Sequence, residues 1–207
     1  MRVASIGVRT ATALLALIAI VVQLVDLARR GVLNPVNYVS YFTIQSNLIG
    51  ASALMAGASM ALRHRTNARL ERLRGASVVY LTTTFVVFAL LLSGTDVDTA
   101  IPWVDTVLHK IVPIVVAADW IIDPPATHIS IVRSLQWLIY PLIWLAYTVL
   151  RGRATGWYPY PFLNPANGGM ARVTSTIAAI VAFGAILCAI VAASGRPRGT
   201  HRPAPSS

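Results

Sequence analysis

Six apolar stretches, each about as long as a bilayer is thick and joined by short connections, constrain this chain more than any other feature. They run over Thr10–Leu27, Tyr41–Leu62, Ala76–Ser93, Asp105–Ile122, Ser134–Leu150 and Val173–Ser194. A helix crosses the hydrocarbon layer with about 17–25 such residues. Lipid offers no partner to backbone N–H and C=O groups, so stretches of this kind read as helices. The connections leave no room for a soluble domain. The expected fold is therefore all-α: a polytopic membrane protein with six transmembrane helices in one bundle over residues 1–195. Residues 196–207 are rich in Pro, Arg and Ser and read as a disordered tail. Charged residues make up only 12% of the chain, about half the usual share of a soluble domain. The first stretch resembles a signal peptide, but it has no small-x-small cleavage site and runs into Val25-Asp26-Leu27-Ala28-Arg29-Arg30. It reads as an uncleaved helix.

The formal charge of +10 invites a nucleic-acid reading, but its distribution argues against one. Arg and Lys fall in short loops and tails, where orientation signals belong. Arg2, Arg9, the Arg63–Arg74 loop, Arg133 and the tail arginines fall on the side of the termini. Fewer fall opposite: Arg29, Arg30, Arg151, Arg153 and Arg172. The bias predicts that both termini are cytoplasmic. The loop bearing Asp96 and Asp98 has no basic residue and fits the outer side. The Arg63–Arg74 loop is a topology determinant and a possible contact for anionic headgroups. The single cysteine, Cys188, allows neither an internal disulfide nor a thiolate metal site. No metal and no cofactor is expected.

With that orientation, two polar clusters lie at one depth. Thr43-Ile44-Gln45-Ser46-Asn47 opens the second stretch, about one turn below its outer end. His109 lies about one turn inside the fourth. A histidine within the hydrocarbon layer is costly and marks a functional suspect. Asp105 is four residues earlier, on the same helix face, and is placed to orient the ring. A threonine hydroxyl is a weak nucleophile until a base takes its proton, and no other histidine lies at this depth. Thr43 with His109 as base, supported by Asp105, is thus a candidate catalytic group, with Asn47 or Ser46 as oxyanion donors. Pro113 lacks an N–H, which should free the His109 carbonyl and kink the helix. Bland readings exist for each residue. Membrane threonines usually bond back to their own helix, and His109 and Lys110 can snorkel to the interface. Asp119 reads as an interfacial carboxylate. The outer loop T-G-W-Y-P-Y-P-F-L-N-P, Thr155–Pro165, is either an interfacial anchor or an aromatic lid carrying Trp157, Tyr158, Tyr160 and Phe162.

Three patches together, F-T-I-Q-S-N (Phe42–Asn47), His109 and G-W-Y-P-Y-P-F-L (Gly156–Leu163), resemble bacterial relatives of the androgen-induced family of membrane threonine hydrolases. The family's animal members are multi-pass proteins that cleave fatty-acid esters of hydroxy fatty acids. The resemblance implies Thr43 as nucleophile, His109 as base, a lipid-ester substrate and a multi-pass place in a bacterial plasma membrane. Only three residues separate His109 from Pro113, where the animal enzymes are expected to have four, and Q-S-N follows the threonine only in the bacterial branch. The competing class is a non-enzymatic membrane protein: a small-solute or proton-coupled transporter using His109 or Asp119, or a lipid-binding subunit. No inverted repeat relates the two halves, which weakens the transporter version. A haem carrier lacks a second histidine at the right depth.

Overall fold

A computed structural model describes residues 2–93, 101–125 and 128–194. The chain is all-helical, with no strand among the described residues. Its helices are α1 (Arg2–Arg29), α2 (Pro35–Ser40), α3 (Phe42–Leu62), α4 (Ala68–Val87), α5 (Pro102–Thr106), α6 (Val112–Ile122), α7 (Ile131–Leu135), α8 (Ile139–Thr155) and α9 (Gly169–Ala193). Wider π turns continue α4 over Phe88–Leu92 and join α5 to α6 over Val107–Ile111. A 3-10 turn, Gln136–Leu138, joins α7 to α8. Apart from the short α2, the helices among the described residues thus make six continuous rods. Three of these, Val3–Arg29, Ala68–Leu92 and Gly169–Ala193, are long and apolar enough to cross a membrane. In the other rods polar residues enter α3, and changes of helical register interrupt the α5–α6 and α7–α8 rods. Their outer faces are nonetheless apolar: Ile114, Ile121, Ile122, Ile139, Ile143 and Leu150 are all exposed. Apolar surface of this extent marks a face that meets lipid or another protein.

Small residues bring the rods together. Ala13, Ala16 and Ala19 of α1 are completely buried, and α1 packs along α3. Backbones approach this closely only where side chains are small. Gly50 shows the same constraint, since a Cβ there would run into Leu81 of α4.

The structure corrects the reading of two basic residues. Residues 68–74 are helical rather than loop, because Asn67 caps α4 by accepting from the N–H groups of Arg69 and Leu70 at 2.9 and 3.3 Å. Arg9 and Arg74, taken as orientation charges, are only 2% and 5% exposed. Arg9 binds Asp119 at 2.7 Å, Asp123 at 2.6 Å and the Gly57 carbonyl at 3.2 Å. Arg74 binds Asp119 at 2.9 Å and Glu71 at 3.3 Å. Asp119 is therefore no free interfacial carboxylate but the bridge between two buried guanidinium groups. Gly57 leaves the space for them, since a Cβ would press on both. The tail 196–207 and the acidic segment with Asp96 and Asp98 lie outside the described residues.

Candidate active site

The site forms where α3 begins. Tyr41 caps α3, so Thr43 stands in the first turn with its N–H among the helix's unpaired donors. The Thr43 hydroxyl lies 3.2 Å from His109 Nε2, and both side chains are buried. The Asp105 carboxylate lies 2.8 Å from His109 Nδ1. It sits off the axis of the ring N–H, so this is a close charge contact rather than an aligned hydrogen bond. Asp105 at Nδ1 and a hydroxyl at Nε2 favour the tautomer with the proton on Nδ1. Nε2 is then the acceptor a base requires. Phe88 stacks on the imidazole with centroids 4.1 Å apart and planes 12° from parallel, fixing the ring's plane.

Asn47 and Ser46 do a different job from the one expected. Asn47 donates both amide protons to backbone carbonyls, to Thr43 at 2.8 Å and to Leu108 at 3.1 Å. The Ser46 hydroxyl contacts the Thr43 carbonyl at 3.2 Å and the Thr84 hydroxyl at 3.1 Å. Both side chains are fully buried, so neither has a proton left for an oxyanion. They fasten α3 to its neighbours. Asn47 also answers the proline. In the π turn the Val112 N–H reaches back five residues to the Val107 carbonyl. Pro113, next in that register, would have bonded Leu108 and has no N–H to do so. The carbonyl left open is thus that of Leu108, not His109, and Asn47 occupies it.

The loop following α8 supplies a site residue that the sequence marks only as one of the lid's aromatics. The Tyr160 hydroxyl accepts the Thr43 N–H at 3.2 Å and lies 3.2 Å from the Thr43 hydroxyl. Its ring is stacked on Phe162 and set edge-on to Tyr41. Burial pushes the Tyr160 phenol up to about 12, so it keeps its proton and remains a donor. It was one aromatic among several in the motif; only the folded loop singles it out. Trp157 packs edge-on against Tyr41 and under the Arg151 guanidinium. Tyr158 does not reach the site. It covers Gly152 of α8, where any side chain would displace it. Lys110 is exposed, with its ammonium 6.0 Å from the Phe88 ring.

Two cavities meet at this point. One is almost wholly apolar and runs between α4, α8 and α9. The other lies beside α2 and the C-terminal end of α1 and is lined by Gln23, Arg30, Asn34, Asn37, Asp105 and Trp157. Thr43, His109 and Tyr160 belong to the walls of both. No metal-binding cluster of His, Cys, Asp or Glu occurs among the described residues.

No protein-family model matches the chain, and comparison with curated proteins and with solved structures finds no match. Fold and site therefore define the class: an all-helical protein with membrane-length apolar helices that encloses a Thr–His–Asp constellation between an apolar and a polar cavity.

Proposed function

We propose that this chain is an intramembrane hydrolase of lipid esters, with Thr43 as nucleophile and His109 as base. One observation carries the reading: a hydroxyl and an imidazole nitrogen 3.2 Å apart, in the wall shared by the two cavities. An ester of a fatty acid has the same two-sided character. Its acyl chain suits the apolar cavity and its alcohol the polar one, which leaves the carbonyl beside Thr43. In this reading all six rods cross the plasma membrane, both termini are cytoplasmic and the site opens toward the outer leaflet. The substrate enters sideways from lipid, and α8 and α9, which pack little against each other, leave room for it. The likeness to the androgen-induced family belongs to the same proposal.

Chemically, His109 Nε2 takes the Thr43 proton as the oxygen attacks the ester carbonyl. The Tyr160 O–H faces the oxyanion, its oxygen held in place by the Thr43 N–H at the positive end of α3. Collapse breaks the bond to the alcohol oxygen, which receives the proton from His109. The acyl group stays on Thr43. Water, deprotonated by His109, attacks this ester, and release of the fatty acid restores both side chains. As the base, the imidazole acts in its neutral form. The transporter alternative gains nothing from Asp119, which is held by two arginines. The test is a fluorophosphonate probe on the purified protein. Labelling is expected on Thr43 and lost in Thr43→Ala and in His109→Ala; labelling that survives in both variants would overturn the proposal.

A further inference from the structure

The apolar cavity has a floor, and the floor bears on what the site accepts. Its deepest lining residues are Val79 and Tyr80 of α4, Leu138 of the 3-10 turn and Gly184 of α9. The Tyr80 hydroxyl donates to the Trp137 carbonyl at 2.6 Å, tying α4 to the turn beneath the cavity. Val79 and Tyr80 are buried. Leu138 fills the remaining corner against Gly184, where a Cβ would stand 3.1 Å from Leu138 Cδ2, so a larger residue at 184 pushes Leu138 toward the cavity. Phe88, stacked on His109, marks the level of the reacting atoms. From Phe88 down to Val79 the rise is about 14 Å at 1.5 Å per residue. That is about the reach of a decanoyl chain.

We propose that this cavity measures the acyl chain, that Gly184 and Leu138 set the measure, and that the substrates are esters of medium-chain acyl groups. The inference rests on the hydrolase reading for its chemistry but not for its geometry. A chain that fits lies entirely against protein side chains. A longer one meets the floor and must bend out past Leu142, which is exposed on α8; its surplus methylenes only exchange lipid for lipid and do not offset the cost of ordering that bend. A shorter one leaves apolar wall uncovered. In an apolar pocket one methylene changes selectivity by about tenfold or more.

The test compares kcat/KM for p-nitrophenyl butanoate, decanoate and hexadecanoate on the full chain in nanodiscs. Decanoate is expected to be best. Gly184→Val, which raises the floor, should lower the decanoate-to-butanoate ratio by at least about tenfold. Leu138→Ala, which deepens it, should shift the preference toward hexadecanoate. A general folding defect cannot move the two variants in opposite directions. Movement in the same direction, or equal wild-type rates from decanoate to hexadecanoate, overturns the inference. A second readout is independent of turnover: displacement of a fluorescent fatty acid from Thr43→Ala protein by octanoate, decanoate and hexadecanoate. An optimum near decanoate upholds the measure even if no ester is cleaved. Affinity without an optimum refutes it and leaves the hydrolase reading standing.

Discussion

Tyr160 separates two ways in which Thr43 can be helped. His109 makes the threonine oxygen nucleophilic; Tyr160 faces the charge that appears once attack has begun. If it does so, Tyr160→Phe keeps the ring stacked on Phe162 and removes only the hydroxyl. Loss of one oxyanion donor typically costs about a hundred- to a thousandfold in kcat. We expect a loss of that size with little change in KM, read from ester turnover, while a transition-state analogue loses affinity and the fatty-acid product does not. A merely structural role would weaken both ligands alike. Because the phenol is pushed up to about 12, its folded-state value lies above its unfolded one. The donor is intact below about pH 10 and is lost only as pH rises through about 12. Tyr160 therefore produces no alkaline fall in activity in the neutral range. At this scale the sequence was informative in part. The spacing of Asp105 and His109, and the matched depth of Thr43, were visible because helices convert sequence interval into direction and depth. Tyr160 and the Phe88 stack depend on a loop and on an inter-helix contact, for which sequence interval is no guide. Asn47 and Ser46 were in the right place with the wrong role, since a polar residue near a nucleophile looks the same whether its protons are free or already bonded.

The α5–α6 rod shows how an element is tuned to a site. A π turn inserts one residue into the helical count and is frequent at functional positions. Here it carries His109 and is followed at once by Pro113. The proline keeps the Leu108 carbonyl free, and Asn47 reaches across from α3 to take it at 3.1 Å. The same amide holds the Thr43 carbonyl. One side chain thus ties the nucleophile's turn to the base's turn. Pro113→Ala restores an N–H that competes for Leu108 and permits a regular α register, in which side chains beyond the change rotate by about 100° per residue of slip. We expect probe labelling of Thr43 to fall at least about tenfold, as for a misplaced catalytic group, with unfolding temperature unchanged or raised because the helix gains a hydrogen bond. Labelling at the wild-type rate would show that the π turn is incidental. Pro113 announced some irregularity, and its position in the sequence was plain. Its register was not, because whether an orphan carbonyl belongs to the fourth or the fifth residue back depends on the partner that claims it. The 3-10 turn before α8 has the same character: the apolar pattern continues across it without a sign of the change.

The whole molecule is fastened at the end away from the site. Arg9 of α1, Arg74 of α4 and Asp119 and Asp123 at the end of α6 join three rods that are distant in sequence. The apolar pattern alone predicted the rods and their all-helical class but not this joint, because charge counting treats every arginine near a helix end as solvated. Burial changes the energetics. Asp119 neutralises two guanidinium groups, so Asp119→Ala leaves Arg9 and Arg74 underpaired away from solvent. Breaking a buried pair on one side costs about 3–5 kcal/mol. Replacing both partners with apolar residues of similar size removes the desolvation penalty together with the attraction, and is often neutral. We therefore expect Asp119→Ala to lower the unfolding midpoint in detergent strongly. The double variant Arg9→Met with Asp119→Leu should recover part of that loss, and not all of it, because Arg74 still loses one partner and keeps Glu71 and the Asp123 carbonyl. His109 lies ten residues before Asp119, a separation of about 15 Å along the rod. Whatever fraction of either variant remains folded should still label at Thr43 at the wild-type rate. If the double variant unfolds as readily as the single one, the joint acts by the attraction between its charges and not by avoiding an unpaired one. If labelling falls in the folded fraction, the charged joint and the site are coupled through α6.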